Sequence, residues 1–188
     1  METIFFDVDG VILDFTGPFS IFWNEGIKNN IWKGINISSN PHTWSFGLDV
    51  KDPHFIEALK IFHEVHEDLP LLNCEVKEVM DQLHNKFFIE LVTSYPHLNK
   101  RIKNLLFHNI PYDKLSCDVN DKVSYIQKSG SKVVAIFEDG PHHIDKYLSY
   151  YPGKIWAPNQ WNYLIDYKQN PKIIFYDNPK DWLKLLNY

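Results

Sequence analysis

Cysteine and arginine are the scarcest chemically useful residues in this chain, which has two cysteines, Cys74 and Cys117, and one arginine, Arg101. Two cysteines exclude a disulfide scaffold and a thiolate zinc cluster, and they fit a reducing compartment. With one guanidinium, bidentate clamps on phosphate are scarce, so a bound anion would rely on a lysine and a metal ion. Long apolar runs are missing as well, and none approaches the ~20 residues of a membrane span. Met1 leads into a strand pattern rather than a signal peptide, so the expected location is cytoplasmic, with no membrane partner. The formal net charge of -5 and a pI of about 6.0 argue against the broad positive footprint that polymeric nucleic acid requires.

A length of 188 residues is enough for one domain with a real core and a modest insertion. Ile4, Phe5 and Phe6 form a short apolar run of the kind expected for a parallel strand covered on both faces. Residues 18 to 28 and the stretch from Asp52, with Pro53 behind a capping Asp, read as helices, and the Asn- and Gly-rich segment between them reads as loop. Residues 16 to 69 are therefore expected to be a helical insertion, and residues 1 to 15 with 70 to 188 the core. From Val76 the pattern alternates regularly. A helix with Val79, Met80 and Leu83 precedes the strand "FFIELVTS", and a helix with Leu98, Ile102, Leu105 and Leu106 precedes "KLSCD". A helix after Asp121 then leads to "VVAIFED", "KIWA" and "KIIFY" read as edge strands, and "NPKDWLKLL" reads as a capped helix. This alternation predicts right-handed crossovers and a parallel sheet, an α/β fold of Rossmann-like type.

In "FFDVDGVILDF", Asp7 and Asp9 stand at the carboxyl end of the first strand with Gly10 behind them. Ligands of open α/β sheets bind outside those carboxyl ends. Two carboxylates so close repel unless a proton or a cation intervenes, and magnesium would satisfy both while leaving room for phosphate oxygens. An ordinary Asp-rich turn is the alternative; a calcium loop fails, because that motif needs Gly at its sixth position and Glu at its twelfth. The second and fourth strands of the pattern end in Thr93 and Ser94 and in Glu138 and Asp139, and Lys122 begins a helix between them. Singly, a Thr at a strand end reads as a turn residue and a Lys at a helix start as solvated. Their joint arrival beside two acidic pairs points to a site.

These motifs, "DVDG", "VTS", Lys122 and "FEDGP", resemble the four motifs of the haloacid dehalogenase-like superfamily. Within it, "DVDGVILDF", "TSYP", "NDK" and "EDGPHHI" are most similar to the 5′(3′)-deoxyribonucleotidase branch and its bacterial relatives. Two positions depart from the usual pattern: Glu138 replaces Asp, and Tyr95 separates Ser94 from Pro96. The resemblance implies a magnesium-dependent phosphomonoesterase with a small helical cap, acting on a small phosphorylated substrate, a nucleoside monophosphate. Asp7 would be the nucleophile and Asp9 the general acid and base. The metal would be bound by Asp7, the backbone carbonyl of Asp9, and Asp139, with Glu138 behind them. Thr93, Ser94 and Lys122 would hold the phosphate. Dehalogenases lack an Asp two residues after the nucleophile, so Asp9 points to phosphate chemistry.

Aromatic residues make up 15% of the chain and cluster before residue 65, more than a small insertion needs for packing. Phe15 matches a base-pocket Phe of the deoxyribonucleotidases by position, and Trp44 and Phe46 are further candidates for the substrate pocket, with simple packing as the alternative. His63 and His66 lie three apart on a helix without the third ligand a zinc site needs, and His66 shares a face with Phe55, Leu59 and Phe62. His142 and His143 read as residues of a helix N-terminus, and "WAPNQWN" as a loop near the cleft. A phosphatase of another small metabolite, such as a sugar phosphate, and a non-catalytic binding protein on the same fold remain open on this reading.

Overall fold

The structure, a computed structural model, describes residues 2–187. Six strands form one sheet in the order β3-β2-β1-β4-β5-β6, and every pairing in it is parallel. They are β1 (Glu2–Phe6), β2 (Phe88–Val92), β3 (Lys114–Ser116), β4 (Lys132–Phe137), β5 (Ile155–Pro158) and β6 (Ile173–Tyr176). The helices between them are α1 (Thr16–Lys28), α2 (Pro53–Val65), α3 (Val76–His84), α4 (Leu98–Phe107), α5 (Lys122–Lys128) and α6 (Pro141–Tyr150). None of the described helices is long and apolar enough to cross a membrane.

The expected α/β parallel sheet is present, and its connectivity explains where polar groups collect. The chain runs outward from β1 through β2 to β3, then returns across the sheet to β4 on the other side of β1. The crevice of such a sheet opens where the winding reverses, between the carboxyl ends of β1 and β4. Central strands buried on both faces must be apolar throughout. Ile4, Phe5 and Phe6 of β1 and Ile136 and Phe137 of β4 are accordingly buried, with Phe6 stacked on Phe137 at 4.2 Å between ring centroids. Trp182 packs against both rings, 5.2 Å from Phe6 and 5.0 Å from Phe137.

Several local expectations need correction. "KIWA" does not form an edge: β5 is paired on both sides, by β4 and β6, and all four of its residues are buried. "NPKDWLKLL" forms a 3₁₀ helix, Pro179–Asn187, rather than an α-helix. Its buried Trp182 and Leu185 lie three apart, and a three-residue turn eclipses such a pair onto one face. Helix α1 begins two residues before Pro18, at Thr16. In α4 the buried face carries Arg101, Asn104 and Leu105, while Leu98 and Leu106 are exposed. The helix forms as its pattern predicts but turns a charged residue inward, for a reason that lies in the site.

The segment from residue 16 to residue 69 leaves and rejoins the sheet region at one place. Leu13 pairs with Leu71 in an antiparallel bridge, Asp14 N–H donates to Pro70 O at 2.9 Å, and Leu72 N–H to Ile12 O at 2.9 Å. Within the segment, α1 and α2 pack through an aromatic cluster in which Phe19 meets Phe15, Phe55 and Phe62 edge-on or stacked at 5.2 to 5.9 Å. Asp52 caps α2 by accepting from His54 N–H at 2.7 Å, with Pro53 at the first helical position.

Trp182→Ala should lower the unfolding free energy by about 3–5 kcal/mol, the usual loss for deleting a large buried aromatic. Urea denaturation of the two proteins checks this.

Candidate active site

Backbone pairing continues one residue past each strand and fixes the residues that follow. Asp7 N–H donates to Phe137 O at 2.9 Å, Thr93 N–H to Ser116 O at 2.9 Å, and Glu138 N–H to Trp156 O at 3.0 Å. Their side chains are thus held on rigid ladder positions at the switch point. Lys122, the first residue of α5, enters between them. Its Nζ lies 2.6 Å from Asp7 Oδ2 and donates to Glu138 Oε2 at 3.1 Å. Glu138 Oε1 accepts from Gly140 N–H at 2.9 Å, so both of its oxygens are engaged. Asp139 Oδ2 accepts from the Tyr163 hydroxyl at 2.7 Å.

Gly10 is a requirement of this packing. Its φ of +80° favours glycine, and a Cβ there would stand 2.0 Å from Asp139 Oδ2. Its carbonyl accepts from the buried Trp161 indole N–H at 3.0 Å, which ties the loop after β5 to the loop after β1.

Asp9 behaves differently from Asp7. Its two oxygens accept from Arg101 Nη2 at 2.8 Å each, and Oδ2 also accepts from the Thr93 hydroxyl at 3.1 Å. Arg101, 2% exposed, is the reason α4 turns a charge inward. Thr93 in turn accepts from Tyr95 N–H at 3.0 Å, so its hydroxyl sits between Asp9 and the following backbone. Ser94 is exposed and donates to Val119 O at 3.1 Å.

These residues floor a cavity of about 470 Å³ whose opposite wall is formed by the inserted segment together with Phe15, the residue just before it. Phe15, Trp44, Phe46, Phe55, Ile56 and Leu59 line that wall, together with the polar Thr16, Ser45 and His63. Phe15 also stacks on Phe19 at 5.3 Å, so it serves packing as well as lining. Trp44 meets the His142 ring edge-on at 4.8 Å, and His142 and His143 occupy the first turn of α6 as the sequence suggests. His66 stacks on Phe62 at 4.3 Å and does not line the cavity, whereas His63 does.

Burial dominates the electrostatics. It pushes Asp7 up from 3.8 to about 7, reinforced by Glu138 and opposed by Lys122. Asp139 is likewise pushed well up by burial and then by Asp7 and Glu138, against donation from Tyr163. Lys122 is held above the usual lysine range because Asp7 and Glu138 outweigh its own desolvation. Burial pushes His63 down to about 4 and His143 to about 3, the latter with help from Lys122, so both rings are neutral at pH 7.

Asp7, Glu138 and Asp139 offer carboxylate oxygens that all lie within 4.8 Å of one another, the one such group of potential ligands among the described residues. An all-oxygen set suits a hard cation such as magnesium rather than zinc. The excess of buried negative charge over the single Lys122 fits the same conclusion. Glu138 has its oxygens on Lys122 and Gly140 N–H and Asp7 has its oxygens on Lys122 and Val8 N–H, whereas Asp139 accepts from Tyr163 at Oδ2 only. The Asp9 side chain stands apart from the group, on Arg101.

Sequence reasoning missed two site residues, Arg101 and Tyr163, and placed Trp161 only within "WAPNQWN", the loop expected near the cleft. Arg101 was read as the lone arginine and nothing more, and Tyr163 sits beyond β5, where no motif marks it.

No protein-family model and no curated protein matches the sequence. Solved structures do. A haloacid dehalogenase-like family hydrolase from Streptococcus pneumoniae superposes with a TM-score of 0.67 at 15% identity, over 99% of this chain and 98% of that one. The fold is haloacid dehalogenase-like. A candidate phosphatase from Clostridium difficile gives a TM-score of 0.68 at 15% identity, over 98% of both chains. A candidate beta-phosphoglucomutase from Bacteroides vulgatus gives 0.64 at 14%, over 100% of this chain and 89% of that one. At these identities the likeness establishes the architecture and leaves the chemistry to the residues.

Since the folded protein holds protons on Asp7 up to about pH 7 and the unfolded chain releases them near 3.8, ionising this group costs folded-state stability as pH rises between those values. A divalent cation favours the ionised form. Millimolar magnesium should therefore raise the melting temperature more at pH 8 than at pH 5.5; equal shifts in differential scanning fluorimetry would contradict the acidic cluster as the metal site.

Proposed function

We propose that the protein is a magnesium-dependent phosphomonoesterase that acts through an aspartyl-phosphate intermediate on nucleoside monophosphates. The observation that carries this reading is the meeting of Asp7, Lys122 and Asp139 at the switch point, beneath a cavity whose far wall is aromatic.

Asp7 is the nucleophile, with Oδ1 oriented by Val8 N–H at 2.6 Å and Oδ2 by Lys122. Attack on phosphorus splits the hydrolysis into two easier displacements. Asp7 and Asp139 would hold the magnesium ion, which supplies the positive charge that lets a carboxylate approach a phosphate. Lys122 neutralises the phosphoryl oxygens and Thr93 donates to them once substrate has drawn its hydroxyl from Asp9. Asp9 gives a proton to the leaving oxygen and later takes one from water. The segment from residue 16 to residue 69 serves as a cap that keeps bulk water from the intermediate.

The leaving group is read from the cap wall. Lys122 is the one cation among the described residues that line the cavity, so a substrate with a second phosphate finds no partner there. Aromatic and aliphatic side chains suit a flat base, with Thr16, Ser45 and His63 to meet its polar edge. A sugar phosphate is the second reading, suggested by the phosphoglucomutase among the similar structures; its ring of hydroxyls would need more hydrogen-bond partners than this wall offers.

Phosphate release with magnesium from a panel of monoesters tests the reading. Asp7→Asn should reduce turnover by about a thousandfold or more, and a variant within about tenfold of the wild type would remove Asp7 from its role. Trp44→Ala should lower kcat/KM about tenfold or more for a nucleoside monophosphate and far less for p-nitrophenyl phosphate, as expected for loss of a base stacked on an aromatic. A wild type that prefers sugar phosphates would overturn the nucleotide assignment and keep the mechanism.

A further inference from the structure

Arg101 is the chain's one guanidinium, and it is spent on a single carboxylate. Its Nη2 reaches both Asp9 oxygens at 2.8 Å, its guanidinium lies 4.2 Å from the centroid of the Tyr95 ring, and Nη1 donates to Asn104 Oδ1 at 3.5 Å. The groups that hold Arg101 are themselves fixed to the inserted segment. The Tyr95 hydroxyl donates to His63 O in the last turn of α2 at 2.9 Å, and Lys100, the neighbour of Arg101, donates to the carbonyls of His63 and Glu64. Asn104 donates to Leu69 O at 2.9 Å, where the chain returns to the core.

Both oxygens of Asp9 are occupied, so the carboxylate can meet a leaving oxygen only by giving up a donor. Thr93 offers a neutral hydroxyl at 3.1 Å; Arg101 offers a charge-assisted bond at 2.8 Å, the stronger of the two. A bound phosphate competes for the hydroxyl, which leaves Oδ2 on Arg101 alone, and because Nη2 also holds Oδ1 the carboxylate can turn Oδ2 toward the leaving oxygen without losing the guanidinium.

We propose that Arg101 is the positioning residue of Asp9, holding it by one oxygen so that the other faces the leaving group, with the last turn of α2 fixing Arg101 through Tyr95. In the first displacement the bond from phosphorus to the leaving oxygen breaks as the bond to Asp7 forms, and the proton of Asp9 passes to the leaving oxygen. Asp9 is left as a carboxylate on Arg101, an ion pair that strengthens as the proton departs and so favours the transition state over the ground state. The inference rests on the phosphatase reading above.

The test uses kcat/KM, which reports events up to departure of the leaving group and omits hydrolysis of the intermediate. A nucleoside 5′-monophosphate has an alkoxide leaving group that needs a proton; p-nitrophenolate leaves without one. Arg101→Met should lower kcat/KM for the nucleotide by about a hundredfold, within the range of general-acid effects, and for p-nitrophenyl phosphate less than about threefold. Arg101→Lys should recover part of the loss. In an Asp9→Asn background, where the charge that Arg101 pairs with is already gone, Arg101→Met should cost nothing further, and this comparison decides the matter even if Arg101→Met alone does not fold. Equal losses on both esters, or a further loss of tenfold in the Asp9→Asn background, would overturn the role of Arg101 alone. A wild type inactive on every ester overturns the phosphatase reading, and this inference with it.

Discussion

Lys122 is a buried cation with Nζ 2.6 Å from Asp7 and 3.1 Å from Glu138, and much of the architecture can be read as what it takes to keep it there. A charge removed from water is tolerable only when its partners are close and their remaining lone pairs are satisfied. The partners come from β1 and β4, adjacent strands at the switch point, and the cation from the start of α5, which Asp121 caps by accepting from Ser124 N–H. Two strand ends and a helix start are thereby set in one arrangement. Shifting any of them by a residue would leave a carboxylate or an ammonium buried without its partner, and that cost specifies register more sharply than apolar packing does.

A second cation, Arg101, does the same for Asp9 from the opposite side of β1. The two acids of the opening motif thus have separate partners and separate surroundings: Asp7 is enclosed with Glu138 and Asp139, while Asp9 sits between a guanidinium and a hydroxyl. Environment rather than residue type divides them, and on the proposed function such a division would let one carboxylate attack while its neighbour handles protons.

The parts of this arrangement legible in the sequence were those with a local cause. Apolar runs ending in acids marked β1 and β4, and Lys122 could be read because it follows a capping Asp. Arg101 could not, since its partner lies 92 positions away and a basic residue near a helix start ordinarily points to water. The apolar pattern of α4 was misleading for the same reason: Leu98 and Leu106 suggest a buried stripe, but satisfying Asp9 rotates the helix so that Arg101 and Asn104 face in. Tyr95, the residue that interrupts the expected Thr-Ser-Pro order, supplies the ring against which Arg101 rests. Tyr163 joins Asp139 from a 3₁₀ segment, Asn162–Tyr167, whose position depends on the whole sheet. "KIWA" was as apolar as β1, a signal of burial on both faces that its late position in the chain obscured.

The inserted segment departs and returns through two short stretches joined by an isolated antiparallel bridge at Leu13 and Leu71. Its two ends are therefore neighbours, and the sheet's connectivity passes beneath it undisturbed. A segment attached in this way is interchangeable in principle: lengthening, shortening or exchanging it alters the roof over the acids without redrawing any crossover of the parallel sheet. On the proposed function, diversity of leaving group would then accumulate in one stretch of chain while the acids at the strand ends stay under their own, separate constraint.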